Sequence, residues 1–132
     1  MLYPIFAMFM LTMTVFILNL IVRVRAVTSG KVPVTYFKTF EGPAADRQLT
    51  QFSNHIRNLF EMPVLFYVVS LAIMILGKVD PAYILLGWLF FVCRVVHSFI
   101  HLTYNKVPHR LAAFMASNTV LVVMWVKLVL AV

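Results

Sequence analysis

Four long apolar stretches, Leu2 to Val22, Leu59 to Leu76, Pro81 to Ile100 and Leu111 to Leu130, take up most of this 132-residue chain. Each is close to the roughly 17 to 25 residues a helix needs to cross the hydrocarbon core of a bilayer. Inside hydrocarbon every backbone N–H and C=O must be bonded within the chain, which leaves helices or a closed barrel. The alternation of barrel strands is absent from these stretches. With 63% hydrophobic and only 11% charged residues and a mean hydropathy of +0.96, the chain is too apolar for a soluble surface and too short for two domains. The expectation is one all-α integral membrane domain over 1–132. Its four transmembrane helices fall at about 2–22, 56–76, 81–101 and 110–130, with a loop at about 23–55.

The first stretch is expected to remain in the mature protein rather than act as a cleaved signal. No Lys or Arg precedes it, and Arg23 and Arg25 stand where a small-residue cleavage site would lie. Cys93 is the single cysteine, which excludes an internal disulfide and a cysteine-based metal site. It reads as a small packing residue.

Charge placement predicts topology. Arg23, Arg25, Lys31, Lys38 and Arg47 lie between the first two spans, and Lys106 and Arg110 lie between the last two. Both connections are on one side, whereas the other side has Lys78 balanced by Asp80. The positive-inside rule puts the basic loops in the cytoplasm and both termini opposite. The net charge of +7 is thereby explained by orientation and anionic headgroups, with no nucleic-acid partner required. The long connection, with Gly30, Pro33, Tyr36, Phe37, Phe40, Gly42 and Pro43, exceeds a simple turn and is expected to lie over the cytoplasmic mouth of the bundle. Asp46 is placed near the N-terminus of an amphipathic start to the second helix, where the helix dipole favours an anion.

Within the apolar background sit Arg57, Asn58 and Glu61 in the second span and Arg94, His97 and His101 in the third. A central Arg or Asp costs about 2.5 to 3.5 kcal/mol to insert, so such residues are expected to pair and to face the bundle interior. Arg57 and Glu61 are four apart and share a face of a continuous helix; Arg94, His97 and His101 form one stripe. Arg23 ends the first helix and Arg110 starts the fourth at the same level. Four guanidiniums against one carboxylate leave a positive surplus, which invites an anionic ligand, and Arg grips carboxylates in bidentate fashion.

Simpler roles compete with this one. Arg57 and Glu61 make sense as an ion pair that holds the second helix, and Arg23, Arg25 and Arg110 as interfacial anchors. His97 and His101, at i and i+4, match a two-ligand metal arrangement. Only Glu61 offers an obvious third ligand, and the surrounding Arg residues repel a divalent ion, so no metal is expected. Asn19 and Asn118 are expected to hydrogen-bond between helices, and Ala112, Ala113, Ala116 and Ser117 to let the fourth helix pack closely. Pro63 is expected to kink or start a helix just past Glu61.

The run Arg57-Asn58-Leu59-Phe60-Glu61-Met62-Pro63 resembles the Arg-Asn-x-x-Glu signature of the MAPEG family, the membrane-associated proteins in eicosanoid and glutathione metabolism. Arg94-Val95-Val96-His97 resembles that family's third-helix Arg-x-x-His. Arg23-Val24-Arg25 closes the first helix as in its prostaglandin E synthase branch, and Arg110 falls where the family carries an Arg at the start of the fourth. The resemblance covers nearly the whole chain. It implies a homotrimer in the lipid bilayer that holds glutathione as co-substrate in clefts between subunits. Arg23, Arg57, Asn58, Glu61, Arg94, His97 and His101 would then bind glutathione, and Arg110 would stabilise its thiolate as the catalytic residue.

The function this resemblance implies is a glutathione-dependent transferase or peroxidase acting on a lipophilic electrophile or hydroperoxide that enters from the membrane. His101 stands where the eicosanoid enzymes usually have Tyr, and Leu111 and Phe114 where the prostaglandin synthase branch has Ser and Tyr. The alternative is a noncatalytic lipid- or partner-binding protein on the same scaffold. A third reading, from a different class, is a small proton-coupled exporter using Glu61; Arg57 beside that carboxylate and the one-sided loop charge oppose it. A bacterial inner membrane is the expected location, given the short loops and the lack of a targeting extension.

Overall fold

The structure, a computed structural model, describes residues 1–39 and 47–132. Phe40, Gly42, Pro43 and Asp46, to which the sequence assigned loop and helix-start roles, lie outside the described residues. The element order is α1 (Leu2–Thr28), α2 (Tyr36–Thr39), α3 (Arg47–Leu59), α4 (Met62–Ile75), α5 (Pro81–Leu102) and α6 (Val107–Ala131). With α3 and α4 counted together over Arg47–Ile75, four helices are long and apolar enough to cross a membrane. The protein is a four-helix integral membrane bundle.

Each helix buries a narrow stripe and leaves the rest to lipid. On α1 the buried residues Pro4, Met8, Thr12, Val15, Asn19 and Ala26 follow helical spacing, while Phe6, Phe9, Phe16, Ile17 and Leu20 are exposed. The core joins Met8 and Val15 to Leu59, Phe66, Val69, Ile73, Tyr83, Phe90, Leu121, Met124 and Leu128. At its centre the Phe66 and Phe90 rings stack with centroids 4.4 Å apart and planes 9° apart. The main pairings are α5 on α6, α1 on α3 and on α5, α3 on α5, and α4 on α6. Gly87 lets α1 approach α5, since a Cβ there would come within 3.0 Å of Pro4 Cβ.

The bounds differ instructively from the sequence reading. α1 runs on to Thr28, and the basic loop at about 23–55 is largely helical where it is described. Ala26, Val32 and Leu49 form a second small core with Val22, Tyr36 and Phe37, and this core carries the helices past the apolar limits read from composition. The second span is not one helix. Pro63 has no N–H and its ring opposes the carbonyl four residues back, so α3 stops at Leu59 and α4 starts at Met62. Glu61 sits in the break with φ −94° and ψ −80°.

The bundle end that carries the α4–α5 connection is closed by a small polar lock. Asp80 caps α5 by accepting the Tyr83 N–H at 2.8 Å. It also pairs with Lys127 near the end of α6, whose Nζ lies 3.6 Å from the Tyr83 ring centroid. Asp80 therefore answers Lys127 on a neighbouring helix. Lys127 and the Tyr83 N–H hold the Asp80 carboxyl below the usual carboxylate range.

Candidate functional site

At the opposite end, where α3 and the α5–α6 turn meet, a cleft of about 350 Å³ is lined by Asn54, Asn58, His97, His101, Val107, Arg110, Leu111 and Phe114. One wall is polar and comes from α3, α5 and the first turn of α6. The other is apolar and comes from Val107, Leu111 and Phe114. A neighbouring recess shares Asn54, His101 and Arg110 and adds Arg47, Thr50, Gln51 and Asn105.

Arg110 is positioned by the α5–α6 turn. Asn105 adopts φ +50°, the left-handed region that Asn tolerates better than most residues, and its Oδ1 accepts Arg110 Nη1–H at 2.9 Å. The Arg110 carbonyl accepts from His97 Nδ1–H at 3.1 Å. This bond ties α5 to the first turn of α6 and leaves Nε2 as the unprotonated nitrogen of a neutral ring. Gln51 on α3 donates to the His101 carbonyl, which satisfies one of the backbone acceptors left at the end of α5.

Arg94 heads the large, fully buried side chains among the described residues, at 0% exposed. Its Nη2 donates to Asn58 Oδ1 at 2.6 Å and to the Asn58 carbonyl at 3.3 Å. That carbonyl is available because the helix breaks just beyond it, where Glu61 N–H reaches it only at 3.4 Å. The break made by Pro63 thus supplies an acceptor for a buried guanidinium. Glu61 lies within electrostatic range of Arg94, and the guanidinium faces the Phe114 ring at 6.0 Å. Its Nε and Nη1 have no hydrogen-bond partner, an arrangement that costs several kcal/mol for a buried charge unless a ligand or water completes it.

The predicted set separates into parts. Asn58, His97, His101 and Arg110 share the cleft, with Arg94 behind Asn58. Arg23 turns elsewhere: its Nη2 reaches Ser53 Oγ at 3.5 Å, its guanidinium lies 5.6 Å from the Phe37 centroid, and it lines a separate recess with Arg57, Tyr36, Thr50, Ser53 and Asn54. Asn54 borders both spaces. The expected Arg57–Glu61 pairing is not made: among the described residues no ion pair joins them, and both are exposed. The physical reason is the helix break between them, which removes the four-residue register on which the pairing relied. Asn19 and Asn118 also depart from expectation, since their amide oxygens are buried without a hydrogen-bond partner among the described residues.

The sequence reading missed His55. It is 0% exposed on α3, its Nε2 is 2.9 Å from Ser98 Oγ, and its ring centroid lies 4.6 Å from that of His101 and 5.7 Å from that of His97. A signal was present, because His55 stands three residues before Asn58 and four before buried Leu59, on their face of the helix. Asn54, Gln51, Asn105 and Ser98 carried no such mark; their roles depend on which helices meet.

A sequence model of the MAPEG family matches residues 1–130. The chain belongs to the MAPEG family. Comparison with curated proteins and with solved structures finds no match. As a MAPEG protein it is an integral membrane protein of the glutathione- and eicosanoid-related class. Leu111 and Phe114 form much of the cleft's apolar wall, and the polar groups facing it come from Asn54, Asn58, His97, His101 and Arg110.

Proposed function

We propose that this MAPEG protein is a membrane-embedded glutathione-dependent transferase or peroxidase. The observation that carries this reading is the cleft itself: an oriented guanidinium, Arg110, stands between amide and imidazole groups on one side and an apolar wall on the other. Glutathione has two carboxylates, an ammonium, amides and a thiol. Asn54 and Asn58 suit its amides, and Arg23, Arg57 and Arg94 suit its carboxylates. Glu61 suits its ammonium. Arg110, fixed at Nη1 by Asn105, would stabilise the thiolate over the thiol. The thiolate would form a carbon–sulfur bond with an electrophile and displace its leaving group. Alternatively it would attack a hydroperoxide oxygen to give an alcohol and a sulfenic acid, which a second glutathione converts to disulfide and water.

The site in this reading is completed by neighbouring subunits of a homotrimer. Exposed Arg57 and Glu61 support this, because charges in a membrane find partners on another helix. Basic loops in the cytoplasm would open the cleft to the glutathione pool, with both termini on the far side of a bacterial inner membrane.

The test is titration of detergent-purified protein with glutathione, following thermal stabilisation and the ultraviolet absorbance of the thiolate, with Arg110→Ala in parallel. The expected result is stabilisation of both proteins within severalfold of the same affinity, with a thiolate signal and turnover only in the unsubstituted chain. Equal loss of binding and thiolate would overturn the role given to Arg110. Neither signal in a folded preparation would favour the noncatalytic lipid- or partner-binding alternative, which the apolar Leu111 and Phe114 wall would suit.

A further inference from the structure

The three buried histidines form a cluster between α3 and α5, and two of them, His97 and His101, also line the cleft of the glutathione reading. His55 comes from α3 and His97 and His101 from α5; they are 0%, 2% and 5% exposed. One ring nitrogen from each lies within 4.8 Å of the other two. His55 Nδ1, His97 Nε2 and His101 Nδ1 are all buried without a hydrogen-bond partner. Each ring thus keeps a buried nitrogen without a protein partner among the described residues, and an unprotonated imidazole nitrogen is a lone-pair donor to a metal ion.

We infer that His55, His97 and His101 bind a first-row transition metal ion, zinc or one of similar preference, in a three-histidine site with its fourth position open to the cleft. Three imidazoles and an exchangeable fourth ligand are a recurrent zinc arrangement. Outer contacts that fix ring orientation and tautomer are already in place. His97 Nδ1–H is held by the Arg110 carbonyl, which frees Nε2. His55 Nε2 lies against Ser98 Oγ, and the tautomer that donates there frees Nδ1. A tetrahedral ion with bonds of about 2.0 to 2.1 Å brings donor nitrogens to roughly 3.3 Å apart, so the rings must turn inward by small side-chain rotations on binding.

Two cations face the cluster, Arg94 and Arg110, and they set the chemistry of the fourth ligand. Arg94 is engaged by Asn58 and lies near Glu61, while Arg110 is engaged by Asn105. The remaining positive field favours an anion at the open position, such as hydroxide or another anion in the cleft. His97 and His101 both line that cleft, which gives the ion an entry path. The sequence had argued against a metal because Glu61 was its only obvious third ligand and because the surrounding Arg residues repel a divalent ion; the fold supplies His55 as the third ligand, and an anion at the open position would offset the field of Arg94 and Arg110. The site borders the cleft of the glutathione reading but does not rest on that reading, and its test uses the metal alone.

Full-length, tag-free protein in detergent is stripped with a chelator and titrated with cobalt(II), then with zinc(II). The expected result is one cobalt per chain, with the intense visible bands of four-coordinate cobalt, displaced by one zinc. His55→Ala is expected to weaken binding more than about 100-fold, and Ser98→Ala, which removes an outer contact, about 10-fold. His109→Ala and Cys93→Ser, outside the cluster, are expected to bind as the unsubstituted chain does. His101→Gln is the second ligand variant, with thermal melts to show that it is folded. Weak six-coordinate cobalt bands only, or unchanged affinity in folded His55→Ala or His101→Gln protein, would overturn the inference.

Discussion

Asn58→Leu tests how the bundle tolerates a charge at its centre. The substitution keeps side-chain bulk but removes the Oδ1 that accepts Arg94 Nη2–H at 2.6 Å. A hydrogen bond to a charged group contributes about 1.5 to 3 kcal/mol, and stranding a buried charge outright costs about 3 to 5 kcal/mol. Arg94 would retain the Asn58 carbonyl at 3.3 Å and the field of Glu61, so a loss of about 2 to 3 kcal/mol is expected. For a chain of this size that is a fall of roughly 6 to 15 °C in melting temperature. Arg94→Met removes the charge and leaves the Asn58 amide unmatched. The double variant replaces the pair with apolar groups and should recover part of the loss, with a coupling energy of about 1.5 to 3 kcal/mol. The assay is reversible unfolding of all four proteins in the same detergent. Additive losses within about 0.5 kcal/mol would refute the claim that Asn58 is the principal partner of Arg94.

At the other end, Lys127 and the Tyr83 N–H hold the Asp80 carboxyl below its usual range, so its contribution is complete above the unfolded carboxylate pKa and is lost as pH falls through the lower folded value. Melts across pH should show a constant advantage over Asp80→Asn near neutrality that closes only in acid; a gap that instead narrows as pH rises would contradict this sign. In the α5–α6 turn, Asn105→Gly and Asn105→Ala both remove the Arg110 anchor, and both should reduce the thiolate signal. Only the Ala variant also incurs the left-handed backbone penalty at φ +50°, about 1 to 2 kcal/mol, which differential melting would detect.

Family, membrane character and the number of spans were legible in the chain because they rest on local composition and on short motifs. Arg94 to His101 was readable as one stripe for the same reason, since an unbroken helix converts spacing directly into a shared face. Arg57 and Glu61 were not, because Pro63 interrupts the helix and spacing no longer reports geometry across the break. Pro63 was itself visible in the sequence, but which acceptor its break would provide to Arg94 depended on α5 lying opposite.

Taken alone, the sequence determined that this chain is an all-α membrane bundle of the MAPEG family. Hydrophobic length and the cost of unbonded backbone in lipid permit little else. Only the tertiary structure decided which cations share a space. It directed Arg23 to Ser53 and Phe37, buried Arg94 against Asn58 and gathered His55, His97 and His101 from two helices. Those choices depend on contacts between residues far apart in the chain, set by how α1, α3, α5 and α6 pack, and a one-helix periodicity carries no information about them.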